Sequence, residues 1–318
     1  MRNRLFIYRK KILIGITFLI FLVILTGCSS ITTPSITTTE ETLEKFEADS
    51  AKGFQWPYYL YVPSTIESSH ILVITNNTGY TSDDFSVHDQ AAQSLVNWQK
   101  SLAKFLGCPL LVPVFPRPYN YQEAGYTHAL DEVSLAATST VYHRLDLQLI
   151  AMIEDAINRL DEREIDFEET ILMWGFSASG MFANRFTALH PERVKAAAIG
   201  SPGGWPIAPV TEYKGVELDY PIGIADLFQL VGYSFDMESF KNIPLYFYLG
   251  DQDINDALPY NVTLNTYIGT TPVSRWPIAE EIYNSINCDC EFILYTGIGH
   301  EITNQTEEDV KTFLLQYR

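Results

Sequence analysis

Ser177 stands in Gly175-Phe176-Ser177-Ala178-Ser179-Gly180, after the apolar run Ile171-Leu172-Met173-Trp174 and ahead of an Ala-containing segment suited to a helix. A serine held between a strand and a helix by small neighbours is the setting of a sharp, strained turn, where bulky flanking side chains would clash. A serine hydroxyl is a weak nucleophile until an imidazole takes its proton, and a carboxylate must then hold that imidazole in one tautomer. Both partners follow in the chain. The run Ile243 to Gly250 reads as a buried strand and leads into Asp251-Gln252-Asp253, with Asp256 close behind. Glu291 to Tyr295 reads as another strand and leads through Thr296-Gly297-Ile298-Gly299 to His300. Each member of a Ser/Asp/His set therefore lies just past a strand, and two acids, Asp251 and Asp253, compete for the orienting role, with Asp256 ranked behind them. His88 and His128 lack that strand-end position, and structural or surface roles are expected for both.

The elements that must position these groups alternate β then α for most of the chain. Tyr58 to Val62, Ile71 to Thr75, Leu110 to Phe115 and Val194 to Ile199 read as strands. Val87 to Leu106 reads as an amphipathic helix. So does Leu145 to Leu160, with Leu145, Leu149, Met152, Ile153, Ala156, Ile157 and Leu160 at near-helical spacing. The alternation predicts an α/β fold: a mostly parallel central sheet with helices on both faces. About 265 residues, from 53 to 318, are enough for one domain with a sizeable core. Two stretches interrupt the alternation, an aromatic connection over 116–140 and a Tyr-, Phe- and Pro-rich segment over 201–242.

In these residues the chain resembles the α/β-hydrolase superfamily of serine hydrolases, whose triad runs Ser, Asp, His along the chain. The resemblance spans roughly 54 to 318 and is closer to the esterase and polyester-depolymerase-like branches than to prolyl-oligopeptidase-type peptidases. It implies Ser177 as nucleophile and His300 as base. The Gly-x-x-Asp spacing usual in the superfamily selects Asp253, three residues after Gly250, with Asp251 as the alternative. Ser179 stands where a glycine is usual, a mild departure because serine is also small. The oxyanion hole is expected from the Ala178 N–H and from an N–H of Asn76-Asn77-Thr78-Gly79-Tyr80, taken as Asn77 with Asn76 next. The His-Gly pair common at this place in related enzymes is absent. The 201–242 segment is expected to form a small cap whose aromatics (Trp205, Tyr213, Tyr220, Phe228 and Tyr233) supply candidate pocket wall, with Trp205 nearest the mouth; Tyr80 is a further pocket candidate. The implied activity is hydrolysis of a small-molecule or polymeric carboxylic ester through an acyl-enzyme, with no metal and no organic cofactor. A peptidase or amidase using the same triad, and a non-catalytic binding lipoprotein on this scaffold, are the alternatives.

The N-terminus reads as an address. Arg2, Arg4, Arg9, Lys10 and Lys11 precede the apolar run Ile12 to Leu25, which is short of the about 20 residues a membrane span needs. Leu25-Thr26-Gly27-Cys28 closes this secretory signal pattern and resembles a bacterial lipobox. That implies a signal peptide over 1–27, acylation of Cys28, and a lipid-anchored protein on the outer side of a membrane. Residues 28–52, rich in Ser and Thr at first, read as a disordered tether, within which the acidic stretch 40–50 suits a short helix. The chain carries 21 basic and 39 acidic side chains, a net −18. Without residues 1–27, which hold five basic groups and no acids, 16 basic stand against 39 acidic, a net −23. Such a balance argues against nucleic acid as a partner. Cys108, Cys288 and Cys290 read as structural or free thiols, since a disulfide between residues two apart is strained. The oligomeric state is left open.

Overall fold

A computed structural model of the chain describes residues 37–77, 79–120, 129–138, 141–258 and 262–318. All lie in one of the two units into which the chain divides, residues 34–318. The expected signal peptide, Cys28 and His128 lie outside the described residues.

The described strands are β1 (Thr37–Thr38), β2 (Thr42–Phe46), β3 (Tyr58–Val62), β4 (Thr65–Ile66), β5 (Leu72–Val73), β6 (Leu110–Pro113), β7 (Ile171–Phe176), β8 (Val194–Gly200), β9 (Glu212–Tyr213), β10 (Val216–Glu217), β11 (Leu245–Gly250) and β12 (Cys290–Tyr295). The described helices are α1 (Phe85–Leu106), α2 (Glu132–Leu135), α3 (Leu145–Asp161), α4 (Ala178–Leu189), α5 (Leu227–Val231), α6 (Met237–Phe240), α7 (Val262–Ile268), α8 (Pro272–Ser285) and α9 (Asn304–Leu315). Eight strands form the main sheet in the order β12-β11-β8-β7-β5-β6-β3-β2. It is parallel from β12 to β6, and β3 and β2 are added antiparallel.

Period-two alternation along the strands builds a core on each face. Ile171 and Met173 of β7, with Leu245, Phe247 and Leu249 of β11, pack with α3, α4 and α8 through residues such as Met152, Phe182, Phe186 and Tyr283. Leu172 and Trp174, with Tyr246 and Tyr248, face the other way and pack with α1 and α9 through Ala92, Val96, Val310 and Phe313. The expected α/β architecture is therefore present, with boundaries within a few residues of the sequence reading.

One expectation is corrected. Residues 42–46 are neither tether nor helix: Thr42 to Phe46 pair antiparallel with Val62 to Tyr58 as the sheet edge. The cause is non-local. Leu43 packs into one face of the sheet core and Phe46 into the other. Arg163 reaches Glu44 at 2.6 Å, Lys45 reaches Asp89 at 2.9 Å, and the Arg159 guanidinium lies 4.0 Å from the Phe46 ring centroid. Edge strands need such charged cover. Cys108, Cys288 and Cys290 are free thiols: Cys108 is buried, Cys290 opens β12, and Cys288 lies two residues before it.

Candidate active site

Three parallel strands carry the candidate residues just past their C-terminal ends. β7 is buried between β5 and β8 and stops at Ser177, whose backbone takes φ 60° and ψ −126°. A serine in this region is strained by about 1–3 kcal/mol, and its surroundings hold it there. The Ser177 N–H donates to Gly200 O at the end of β8 (2.9 Å), and Ser177 O accepts from Met181 N in the first turn of α4 (2.9 Å). The turn is so tight that a Cβ on Gly175 would lie 2.1 Å from Ser179 O, and one on Gly180 would lie 2.4 Å from Gly200 O. Ser179 explains its own departure from glycine. Its hydroxyl accepts from Phe176 N (2.9 Å) and donates to Phe176 O (2.8 Å), tying both polar groups of that strand-end residue to the helix.

β11 ends at Gly250 and β12 at Tyr295, and the two following loops are bound to each other. Asp251 N donates to Tyr295 O (2.9 Å), Gln252 N to Ile298 O (2.9 Å), and Gly297 N to Asp251 Oδ1 (2.8 Å). This union brings Asp253 and His300 together. His300 Nδ1 lies 2.9 Å from Asp253 Oδ2, and His300 Nε2 lies 2.8 Å from Ser177 Oγ. Because a carboxylate only accepts, Nδ1 is the donor in the first contact, which leaves the Nε2 lone pair to accept the serine proton. Of the three acids, Asp253 is thus the one hydrogen-bonded to His300. Asp251 instead holds the histidine loop by its bond to Gly297, and Asp256 pairs with Arg275 at 2.8 Å.

Asp253 is 2% exposed. Burial alone would raise its pKa. Hydrogen bonds from His300, from the Asn255 N–H (2.8 Å) and from the Ser201 hydroxyl outweigh that and hold the carboxyl below its ordinary value. Three contributors to the site carry no sequence motif. Ser201 follows β8 and faces Asp253. Asn255 places its Nδ2 3.0 Å from His300 Nε2. The Phe176 ring packs on the His300 imidazole with centroids 4.8 Å apart. Only Asn255 had a legible signal: its backbone bond to Asp253 Oδ1 is the i to i+2 turn that aspartates favour.

The expected oxyanion donors are partly in view. The Ala178 and Asn77 amide N–H groups donate to no acceptor among the described residues. The Asn77 side chain ties its loop to Phe176 O (3.2 Å). Asn76 is occupied elsewhere: it is fully buried, and its carboxamide exchanges two hydrogen bonds with the Phe115 backbone (2.9 and 3.0 Å). His88 is buried and bonds Ser82 O at 2.8 Å, a structural role.

Two cavities flank the turn, and Ser177 lines neither. One, of about 530 Å³, runs beside α4, with Met181 and Arg185 on one side and Leu218, Tyr220 and Ile222 of the 201–242 segment on the other. Ser177, Met181 and Arg185 are four residues apart and share one face of the helix. The other, of about 470 Å³, lies between α1 and the elbow. Two pocket expectations are corrected. Trp205 is 2% exposed and packs with Leu264, Ile268, Ala279 and Ile282, its indole N–H donating to Ile222 O at 2.8 Å. It is a packing residue because α7 and α8 cover it. Tyr80 is 63% exposed and lines neither cavity. Of the other cap aromatics, Tyr220 lines the α4 cavity, whereas Phe228 is exposed and Tyr233 contacts Arg144 and His190.

No protein-family model matches the chain, and no curated protein matches its sequence. Solved structures do match its backbone. Poly(aspartic acid) hydrolase-1 from Sphingomonas sp. KT-1 aligns with TM-score 0.58 at 19% identity, over 87% of this chain and 100% of that one. A poly(3-hydroxybutyrate) depolymerase from Bordetella parapertussis aligns with TM-score 0.53 at 18% identity, over 87% of each chain. An acetyl xylan esterase from Aspergillus awamori aligns with TM-score 0.50 at 16% identity, over 86% of this chain and 99% of that one. The mostly parallel eight-stranded sheet, its two helical layers and these neighbours together identify the fold as that of the α/β-hydrolases.

Proposed function

We propose that this protein is a serine hydrolase that cleaves carboxylic esters through an acyl-enzyme. The observation that carries the reading is the unbroken hydrogen-bonded chain from Ser177 Oγ through His300 to the buried Asp253. Ser177 Oγ attacks the ester carbonyl as its proton passes to His300 Nε2. The developing oxyanion is held by the Ala178 and Asn77 N–H groups. The imidazolium, stabilised by Asp253, returns the proton to the departing alcohol. Water then repeats the sequence on the acyl-enzyme and frees the acid. The depolymerase and the acetyl xylan esterase among the fold neighbours support esters as the substrate class, and the net −18 disfavours polyanions. The cavity beside α4 is the proposed substrate site, with the 201–242 segment as its cap. The test is a panel of chromogenic esters of varied acyl length beside peptide substrates, with fluorophosphonate labelling of the wild type and of Ser177→Ala. Ester turnover and labelling that both vanish in Ser177→Ala are expected. Peptide cleavage exceeding ester cleavage, or labelling that persists in the variant, overturns the reading.

The basic, apolar leader ending in Leu25-Thr26-Gly27-Cys28 supports a second part of the proposal: the mature chain is anchored outside a membrane by lipid on Cys28. Intact-mass measurement of membrane-extracted protein tests it. An unmodified N-terminus at another residue refutes it.

A further inference from the structure

The cavity between α1 and the elbow lies on the sheet face opposite α4. Leu95 and Trp98 of α1 form one wall, and Trp174 and Phe176 of β7 form another. The Trp98 and Trp174 ring centroids are 6.5 Å apart. Among the described residues no charged side chain lines the cavity, in contrast with the strongly acidic chain as a whole. Its volume, about 470 Å³, falls within the range of small-molecule sites.

Five of its lining residues are polar, Thr75, Asn77, Ser94, Gln99 and Ser179, and two of these are left unsatisfied. Thr75 and Gln99 are each 1% exposed, and the Thr75 hydroxyl and Gln99 Oε1 have no hydrogen-bond partner among the described residues. Native interiors seldom keep such groups, because each unpaired buried polar atom costs about 1–3 kcal/mol. Gln99 is the more telling. It lies on the buried stripe of α1 with Ala92, Val96 and Ala103, where an aliphatic residue would satisfy packing alone. Two orphaned polar groups lining one apolar, uncharged cavity make a pole at which a ligand's head group would bond.

We propose that this cavity binds a neutral amphiphile, an alkyl or aryl body seated against Trp98 and Trp174 with a single hydroxyl or amide head that pairs with Gln99 and Thr75. The site is separate from the cavity beside α4. Phe176 joins it to the catalytic centre, because the same residue lines the cavity and packs against the His300 ring.

The test uses the Ser177→Ala protein, so that it does not depend on the hydrolase reading. The probe is 8-bromo-1-octanol, whose bromine quenches tryptophan fluorescence on contact. Saturable quenching is expected, competed by unbrominated 1-octanol and reduced in amplitude by Trp98→Phe. Ser94 is an exposed residue of the cavity wall, so Ser94→Phe fills the mouth without disturbing the core; it should weaken binding at least tenfold. Gln99→Leu should weaken it about five- to tenfold by removing the head-group partner. Quenching that rises linearly with probe and ignores Ser94→Phe overturns the site. Gln99→Leu and Thr75→Val proteins that melt at higher temperature yet bind the probe as tightly as before overturn the head-group assignment, and with it the amphiphile.

Discussion

Asp253→Asn isolates the electrostatic core of the proposed mechanism. Beside the rotatable Ser201 hydroxyl, the Asp253 carboxylate accepts hydrogen bonds from two fixed donors, His300 Nδ1–H at Oδ2 and the Asn255 N–H at Oδ1. A carboxamide of the same shape has one acceptor and one donor end. If its oxygen turns to Asn255, its NH2 faces Nδ1 and drives the imidazole into the other tautomer, so that Ser177 meets an N–H instead of a lone pair. If its oxygen turns to His300, its NH2 confronts the Asn255 N–H and the imidazolium of the transition state loses its counter-charge. Both arrangements raise the barrier. A loss of about 10³–10⁴ in kcat, or about 4–5.5 kcal/mol, follows if the acid acts as in other Ser-His-Asp sites. KM should change little, since Asp253 is 2% exposed and lines neither cavity beside the turn. Asp251→Asn is the control. It alters a single bond to Gly297, which an amide oxygen can still accept, so less than a tenfold loss is expected. Steady-state ester hydrolysis on purified variants, with circular dichroism to verify folding, decides the matter. An Asp253→Asn enzyme retaining a tenth or more of wild-type kcat refutes the reasoning, as does an Asp251→Asn enzyme that loses more.

Ser179→Ala should leave fluorophosphonate labelling of Ser177 intact while lowering stability by about 1–3 kcal/mol in urea titration, because the Phe176 N–H loses the hydroxyl it donates to and the Phe176 carbonyl keeps only the Asn77 side chain. Gly175→Ala should abolish both labelling and soluble yield, since its Cβ would fall 2.1 Å from a backbone oxygen; a soluble variant that still labels shows that the turn can shift. Asp146 is fully buried. Burial opposes its ionisation, but hydrogen bonds from His190 and Arg144 prevail and hold its pKa down to about 2. A depressed carboxyl contributes stability that is complete above the unfolded value of about 3.8 and is lost as pH falls through about 2. The stability gap between wild type and Asp146→Asn should therefore shrink by about 2 kcal/mol between pH 6 and pH 2; a gap independent of pH contradicts the assignment.

The hydrogen-bonded set Ser177, His300 and Asp253 was legible because each member depends on local sequence: a buried strand, then a turn that needs small residues or a short loop. Asp253 needed the spacing from Gly250, and the structure supplies the reason for that spacing. Asp251 is committed to the backbone of the histidine loop, so the acid two residues on is the one free to face His300. Ser201 was not legible, because it stands in no motif and matters only through a neighbour brought in by another strand; Asn255 had only the i to i+2 turn after Asp253 to mark it, and its approach to His300 depends on another strand. The same limit explains the edge strand. Thr42-Leu43-Glu44-Lys45-Phe46 has no strong preference of its own, and its conformation is decided by pairing with β3 and by Arg159 and Arg163, over a hundred residues away. Trp205 shows the converse error. An aromatic after Pro-Gly-Gly looked like a pocket wall, yet its environment is made by α7 and α8, which begin more than fifty residues later. Chemistry in this fold is thus written in short strand-end segments, whereas cavity walls are assembled from distant ones. A prediction of substrate from sequence must therefore begin with residues that share a helix face with the nucleophile. Met181 and Arg185 meet that condition by their spacing from Ser177 alone, and both line the cavity to which Leu218, Tyr220 and Ile222 of the 201–242 segment contribute the facing wall.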